Sequence, residues 1–236
     1  EGRASEKMSI LVLDDDPTGT QTVYDIPILT EWSQAVLEKE FQHDSPGFYL
    51  LTNTRSLDLE QAKAINFQIG KNLRRVAQKS GADFEIISRS DSTLRGHFPG
   101  EVEALAGGTG IAYAGWILMP AFIEGGRITV NDVHYVDDGN AMVPAGMTEF
   151  SKDNVFGYQS SNLAAWMEEK FSGRIRAESI HSITIDDIRN GGPEKVRLKL
   201  SELTDGALCF ANAASYADIE VFVLGLLQAE KTNKQF

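Results

Sequence analysis

Strand-like and helix-like segments alternate along most of this chain, and that alternation constrains its fold more than any other feature. Apolar runs at Ser9–Leu13, Ile26–Thr30, Phe48–Leu51, Phe84–Ile87 and Trp116–Met119 read as strands. Between them, Glu31–Phe41 and Glu101–Leu105 read as helices. Leu57–Lys79 reads as a long one, with Leu59, Ala62, Ile65, Phe67, Ile69, Leu73 and Val76 at roughly helical spacing. Arg127–Asn131 and Val133–Val136 form a hairpin pattern closed by a Gly- and Asp-rich turn at Asp137–Asn140. Helices at Leu163–Phe171, Glu194–Leu203 and Ala217–Lys231 then alternate with strands at Ser179–Ile185 and Ala207–Ala211. Short connections between such elements predict an α/β fold: a mainly parallel sheet with helices on both faces, plus a small β-hairpin insertion. Residues 1–7 read as a polar tail, 8–230 as one domain and 231–236 as the start of a linker.

The 236 residues, 42% of them hydrophobic, suffice for a large core. A net charge of -12 disfavours nucleic acid and anionic membrane surfaces as partners. Cys209 lies in the apolar run Ala207–Ala211 and reads as a buried small residue, with no disulfide partner. His43, His97, His134 and His181 lack metal-ligand spacing. The polar start has no signal-peptide pattern, and the longest apolar stretches are too short to span a bilayer, so a soluble, cytoplasmic protein is expected. Neither a phosphate-binding Gly-x-x-x-x-Gly-Lys loop nor a Gly-x-Gly-x-x-Gly turn is present.

Ligands of parallel sheets bind beyond the carboxyl ends of the strands, so the residues following each strand are candidate site residues. After the first strand come Asp14, Asp15, Asp16, Pro17, Thr18 and Gly19; after the third, Thr52–Ser56 with Arg55 and Ser56. The stretch Arg89-Ser90-Asp91-Ser92-Thr93-Leu94-Arg95-Gly96-His97 follows the fourth, and Pro120–Arg127, with Gly126 and Arg127, the fifth. Arginine offers a carboxylate or phosphate a two-pronged, charge-assisted grip, and four of the eleven arginines stand at these ends. The aspartates would repel one another without those cations. Together they predict one sheet edge that binds a small hydroxylated anion. Asx-type turns remain an alternative for Asp14–Thr20, and a plain hairpin turn for Gly125–Arg127.

Two families compete for this pattern. Ile10–Leu13 followed by Asp14-Asp15-Asp16-Pro17-Thr18 fits the Asp-x-Asp-x-Thr motif of haloacid-dehalogenase-type phosphatases, and Asp186-Asp187 mimics their acidic pair. Asp14 would then be the nucleophile, Asp16 the acid/base, and Mg²⁺ required. That reading leaves the Arg89–His97 stretch without a role.

The chain also resembles the four-carbon acid sugar kinase family. The resemblance rests on Asp15-Asp16-Pro17-Thr18-Gly19, on Arg89-Ser90-Asp91-Ser92-Thr93-Leu94-Arg95-Gly96, and on Met119-Pro120-Ala121-Phe122 with Gly126-Arg127 and Thr129-Val130-Asn131. Thr148-Glu149-Phe150 and Asn212–Tyr216 extend it over nearly the whole chain. The commonest family pattern has a bulky apolar residue where Pro17 stands and lysine where Arg89 stands. The resemblance implies a domain that binds the acid sugar (threonate, erythronate or a 3-oxo-tetronate), while ATP and Mg²⁺ are held by a C-terminal nucleotide-binding domain or separate subunit. It implies that Asp16 and Asp91 are catalytic. Asp15, Thr18, Gly19, Arg55, Ser56, Arg89, Ser92, Thr93, Arg95, Gly126 and Arg127 would bind substrate, with no metal ligand in this chain. A non-catalytic sugar-acid binding module would keep the same site.

Overall fold

The expected alternation runs through the whole computed structural model, which describes residues 8–43, 45–231 and 234–236. The polar tail at 1–7 lies outside these residues, as do two positions of the expected linker. The chain divides into two compact units rather than the single domain expected over 8–230. Unit 1 runs to Asp91 and takes up again at Gly96–Ile111, and unit 2 holds Ser92–Arg95 and Ala112–Phe236.

Unit 1 contains β1 (Met8–Asp14), β2 (Ile28–Leu29), α1 (Gln34–Phe41), β3 (Gly47–Leu51), α2 (Leu59–Ser80), β4 (Asp83–Arg89) and α3 (Gly100–Thr109). Its four strands form a parallel sheet in the order β2-β3-β1-β4. Alternating side chains of β1, β3 and β4 (Leu11, Leu13, Phe48, Leu50 and Phe84) meet Leu37 of α1, Ile69, Leu73 and Val76 of α2, and Leu105 of α3. All three helices thus lie on one face. The steps β2→β3 and β3→β4 run in the same direction across the sheet, so right-handed crossovers put α1 and α2 on the same side. The step β1→β2 runs the other way, but its connection forms only a short 3-10 turn at Gly19–Thr22. The opposite face therefore carries exposed Ile10 (42%), Ile28 (44%) and Ile87 (51%), contrary to the expected two-sided cover. β4 is an edge strand, and of its apolar run only Phe84 is buried.

α2 starts at a capping box formed by Asp58 and Gln61, and crosses α3 at two glycines. A Cβ on Gly70 would stand 2.5 Å from the Leu105 carbonyl, and one on Gly108 would stand 2.4 Å from the Phe67 carbonyl. Backbone meets backbone there, so the crossing admits no side chain.

Unit 2 begins with β5 (Gly115–Leu118), then an antiparallel meander of β6 (Arg127–Val130), β7 (Val133–Asp137) and β8 (Met142–Pro144), the expected hairpin with one more strand. α4 (Leu163–Lys170), β9 (His181–Ile183), α5 (Ile185–Arg189), α6 (Gly192–Ser201), β10 (Ala207–Ala211) and α7 (Tyr216–Glu230) follow. A second parallel sheet has the order β5-β10-β9. The α/β class with mainly parallel pairing stands, but in two sheets. The fifth strand therefore does not share an edge with the first four. Ile183, Ile188, Val196, Leu200, Cys209 and Phe222 form the core of this unit, and Phe236 packs against it. Burial pushes the Cys209 thiol up to about 12. No described helix is long and apolar enough to cross a membrane.

At the start of α7, Asp218 accepts two hydrogen bonds from Arg189, of 2.8 and 2.9 Å, and one from the Ala214 N–H, of 3.0 Å. The Arg189 hydrogen bonds hold its pKa down at about 2. A pKa below the unfolded value stabilises the fold above about pH 4, and this contribution fades as pH falls toward 2. Asp218→Asn should therefore cost about 2 kcal/mol at neutral pH and nothing near pH 2. Urea denaturation across that range, followed by tryptophan fluorescence, checks this. Gly70→Ala should destabilise the protein by about 1–2 kcal/mol in the same assay, since overpacking outweighs the better helix propensity of alanine.

Candidate functional site

The parallel register of unit 1 sets the ends of three strands side by side, pairing Asp14 with Leu51 of β3 and with Arg89 of β4. Backbone bonds continue past the strands, from Thr52 N to Asp14 O (2.9 Å) and from Arg55 N to Asp15 O (3.1 Å). The three consecutive aspartates consequently point into three different environments.

Asp15 is buried and takes both prongs of Arg55, Nε to Oδ2 at 3.1 Å and Nη2 to Oδ1 at 2.6 Å. Ser90 Oγ donates to the same carboxylate at 2.7 Å. Arg55 Nη1 lies 3.5 Å from Asp16 Oδ2 and 4.0 Å from Asp91 Oδ1, so one guanidinium ties the ends of β1, β3 and β4 together. Asp16 is partly exposed. Its Oδ1 accepts from the N–H of Thr18 at 2.8 Å and from the Thr18 hydroxyl, which is the Asx-type turn anticipated there. Those Thr18 bonds hold the Asp16 carboxyl below the usual carboxylate range. Asp14 is 0% exposed and bonded to Arg89 Nη1 at 3.1 Å, and burial pushes its pKa up against the pull of that guanidinium. Ser56 closes its own 3-10 turn through a 2.8 Å bond to Asn53 O.

Beneath the strand ends lies a polar layer that sequence patterns do not reveal. Glu101, in the first turn of α3, is buried against Asn66 (2.9 Å), with Thr54, His97 and Asp15 around it. Burial raises its pKa. An acidic residue in a first helical turn ordinarily reads as a solvated partner of the helix dipole, so its spacing carried no cue.

The Arg89–His97 stretch is divided between the units. Ser92, Thr93 and Arg95 belong to unit 2, as do Gly126 and Arg127. In unit 2, His134 Nε2 donates to Ser92 O at 2.8 Å and the Tyr158 hydroxyl to Thr93 O, also at 2.8 Å. These bonds brace Leu94, a buried residue at φ 66°. His134 is thus a fully buried structural residue, in line with a packing role in its strand. Arg95 bonds Thr93 Oγ1 at 3.1 Å and lies 3.7 Å from Asp153. The guanidiniums of Arg95 and Arg127 stand 5.1 and 5.8 Å from the ring centre of Phe150, whose segment spacing alone does not mark. Gly126 belongs to a tight turn, its N–H donating to Ile123 O at 3.0 Å while Phe122 and Arg127 pair across it. It offers no backbone donor to an anion.

The phosphatase reading fails on these placements. A wholly buried, paired Asp14 is not placed to attack a phosphate. Asp187, of the second acidic pair, caps α5 through Thr184 and is engaged by Lys199 in unit 2. ATP and Mg²⁺ find no fitted place among the unit 1 carboxylates either, because Asp14, Asp15 and Asp16 are each engaged by a guanidinium or hydroxyl. A groove of about 410 Å³ is lined by Phe67, Lys71, Arg74, Arg75 and Gln78 of α2, none of them at a strand end. Asp15→Ala should cost about 3 kcal/mol in urea denaturation, because it leaves Arg55 half-buried without its partner. A loss below about 1 kcal/mol would mean that solvent screens the pair.

Solved structures share this fold. A domain of unknown function from Bordetella bronchiseptica, determined as a domain-swapped dimer with bound citrate, matches with a TM-score of 0.68 at 18% identity, over 92% of this chain and 50% of that one. A Haemophilus influenzae protein of the same domain family matches at 0.66 and 14%, over 92% and 51%. A protein from Salmonella typhimurium LT2 described as a tRNA synthase matches at 0.64 and 15%, over 97% and 57%. The chain spans about half the length of these proteins, and at such identities the likeness is one of fold. No curated protein matches the sequence. Residues 10–236 match the family model of a sugar-binding N-terminal domain. The chain belongs to that family, the N-terminal domain of the four-carbon acid sugar kinases whose motifs it carries.

Proposed function

We propose that this chain binds the substrate of an ATP-dependent kinase that phosphorylates a hydroxyl of a four-carbon sugar acid, such as threonate, erythronate or a 3-oxo-tetronate. The observation that carries the reading is the Arg55 guanidinium, which gathers Asp15, Asp16 and Asp91 from two strand ends with Arg89 alongside. Carboxylates that accept hydroxyl hydrogen bonds, next to a guanidinium that takes a carboxylate, suit a small polyhydroxy acid. The citrate held by the Bordetella protein is also a small hydroxy acid.

In this reading Arg89 takes the substrate carboxylate, while Asp16 and Asp91 receive its hydroxyls. Asp16, held below the usual carboxylate range by Thr18, orients a hydroxyl rather than removing its proton. Activation of the attacking hydroxyl then falls to Asp91. Within unit 2, Phe150 is the platform beneath the guanidiniums of Arg95 and Arg127. The phosphoryl donor, ATP with Mg²⁺, belongs to a nucleotide-binding domain or subunit that works with this chain. Phosphoryl transfer depends mostly on positioning and charge neutralisation, so this chain alone binds substrate without turning it over.

Threonate or erythronate, without metal, should raise the melting temperature by a few degrees at about one hundred times Kd. Asp91→Ala should abolish the shift while leaving the unliganded melting temperature nearly unchanged. A shift produced instead by Mg²⁺ with beryllofluoride, and by no sugar acid, would reverse the assignment.

A further inference from the structure

We infer that Asp14 is a positioning residue, holding Arg89 by one prong so that the rest of its guanidinium faces the substrate anion; the inference rests on the sugar-acid reading above. The two arginines at the strand ends of unit 1 differ in what they have left to offer. Arg55 has Nε and Nη2 committed to Asp15, with Nη1 directed toward Asp16 and Asp91. The Arg89 side chain makes one hydrogen bond among the described residues, from Nη1 to Asp14 Oδ1 at 3.1 Å, and is 34% exposed. Its Nε and Nη2 donors remain for a ligand, and two donors on one guanidinium match the two oxygens of a carboxylate.

The seat for this arrangement is built into the fold. The β1–β4 register sets Asp14 directly opposite Arg89, and Asp14 Oδ2 is buried with no hydrogen-bond partner. Gly19 forms the wall. A Cβ there would lie 1.7 Å from Arg89 Nη1 and 2.2 Å from Asp14 Oδ2, so any side chain would push the guanidinium off its anchor. A wholly buried carboxylate with one unsatisfied oxygen is costly to keep, and positioning a cation gives it a reason to be there. Lysine, the commoner residue at this position in the family, would meet Asp14 with its single ammonium and offer no second, coplanar pair of donors, so arginine here gives the ligand a different grip.

Isothermal titration calorimetry with threonate and erythronate tests this on the wild type, Asp14→Asn, Arg89→Ala, the double variant and Arg89→Lys. Asp14→Asn and Arg89→Ala should each weaken binding about tenfold or more, and the double variant no more than Arg89→Ala alone. Arg89→Lys, which keeps the charge next to Asp14 but removes the paired donors, should melt like the wild type yet bind more weakly than it. It carries the test if Asp14→Asn does not fold. Losses that add in the double variant, Asp14→Asn binding within twofold of the wild type, or wild-type affinity in Arg89→Lys would each overturn the inference while leaving the sugar-acid reading standing. A wild type that binds none of these acids overturns both.

Discussion

The buried pair between Asp15 and Arg55 is the interaction on which the strand ends of unit 1 depend. Parallel strands are held along their length by backbone bonds, but beyond their carboxyl ends nothing in the sheet dictates where the loops go. A two-pronged guanidinium–carboxylate contact fixes direction as well as distance, and Ser90 adds a hydroxyl from a third strand end. With that brace in place, Asp16 and Asp91 come under the same cation and the turn through Thr18 and Gly19 has a defined path.

Electrostatic division of labour follows from it. Three chemically identical side chains occupy consecutive positions, yet one is held by burial toward its neutral form, one is committed to a bidentate pair, and one is kept charged by a threonine. Asp14 ends β1, on the face opposite Leu13. Asp15 and Asp16 lie past the strand, where the Arg55 pair and an Asx-type turn set their directions. Local acidity in an acidic protein is thus organised by a few well-placed arginines.

Much of this was legible in the residues. Periodicity located the long helix at α2 to within a residue or two, because its core face recurs over several turns and Asp58 and Gly81 mark its ends. The first two strands of the meander were legible from alternation, while β8, beyond the turn at Asp137–Asn140, was not. The division into two sheets was not, since every parallel strand carries the same apolar signature whichever sheet it joins. That ambiguity hid the assignment of Arg95 and Arg127 to a different unit from Asp15. Burial of Asp14 was likewise invisible: a charged residue after an apolar run reads as a loop, and only the register shows it facing Arg89. Glu101 gave no signal, and Phe150 none beyond the family resemblance, because their roles come from distant segments folded over them.

Cys209 lends itself to a different use. It is the sole thiol of the chain, sits wholly within the core of unit 2, and ionises only near pH 12. An alkylating reagent therefore meets a protonated, sheltered sulfur and reacts as unit 2 opens. Labelling kinetics at increasing denaturant would clock the opening of that unit alone, since unit 1 has no cysteine to modify. The molecule carries its own reporter for asking whether its two halves unfold together or in turn.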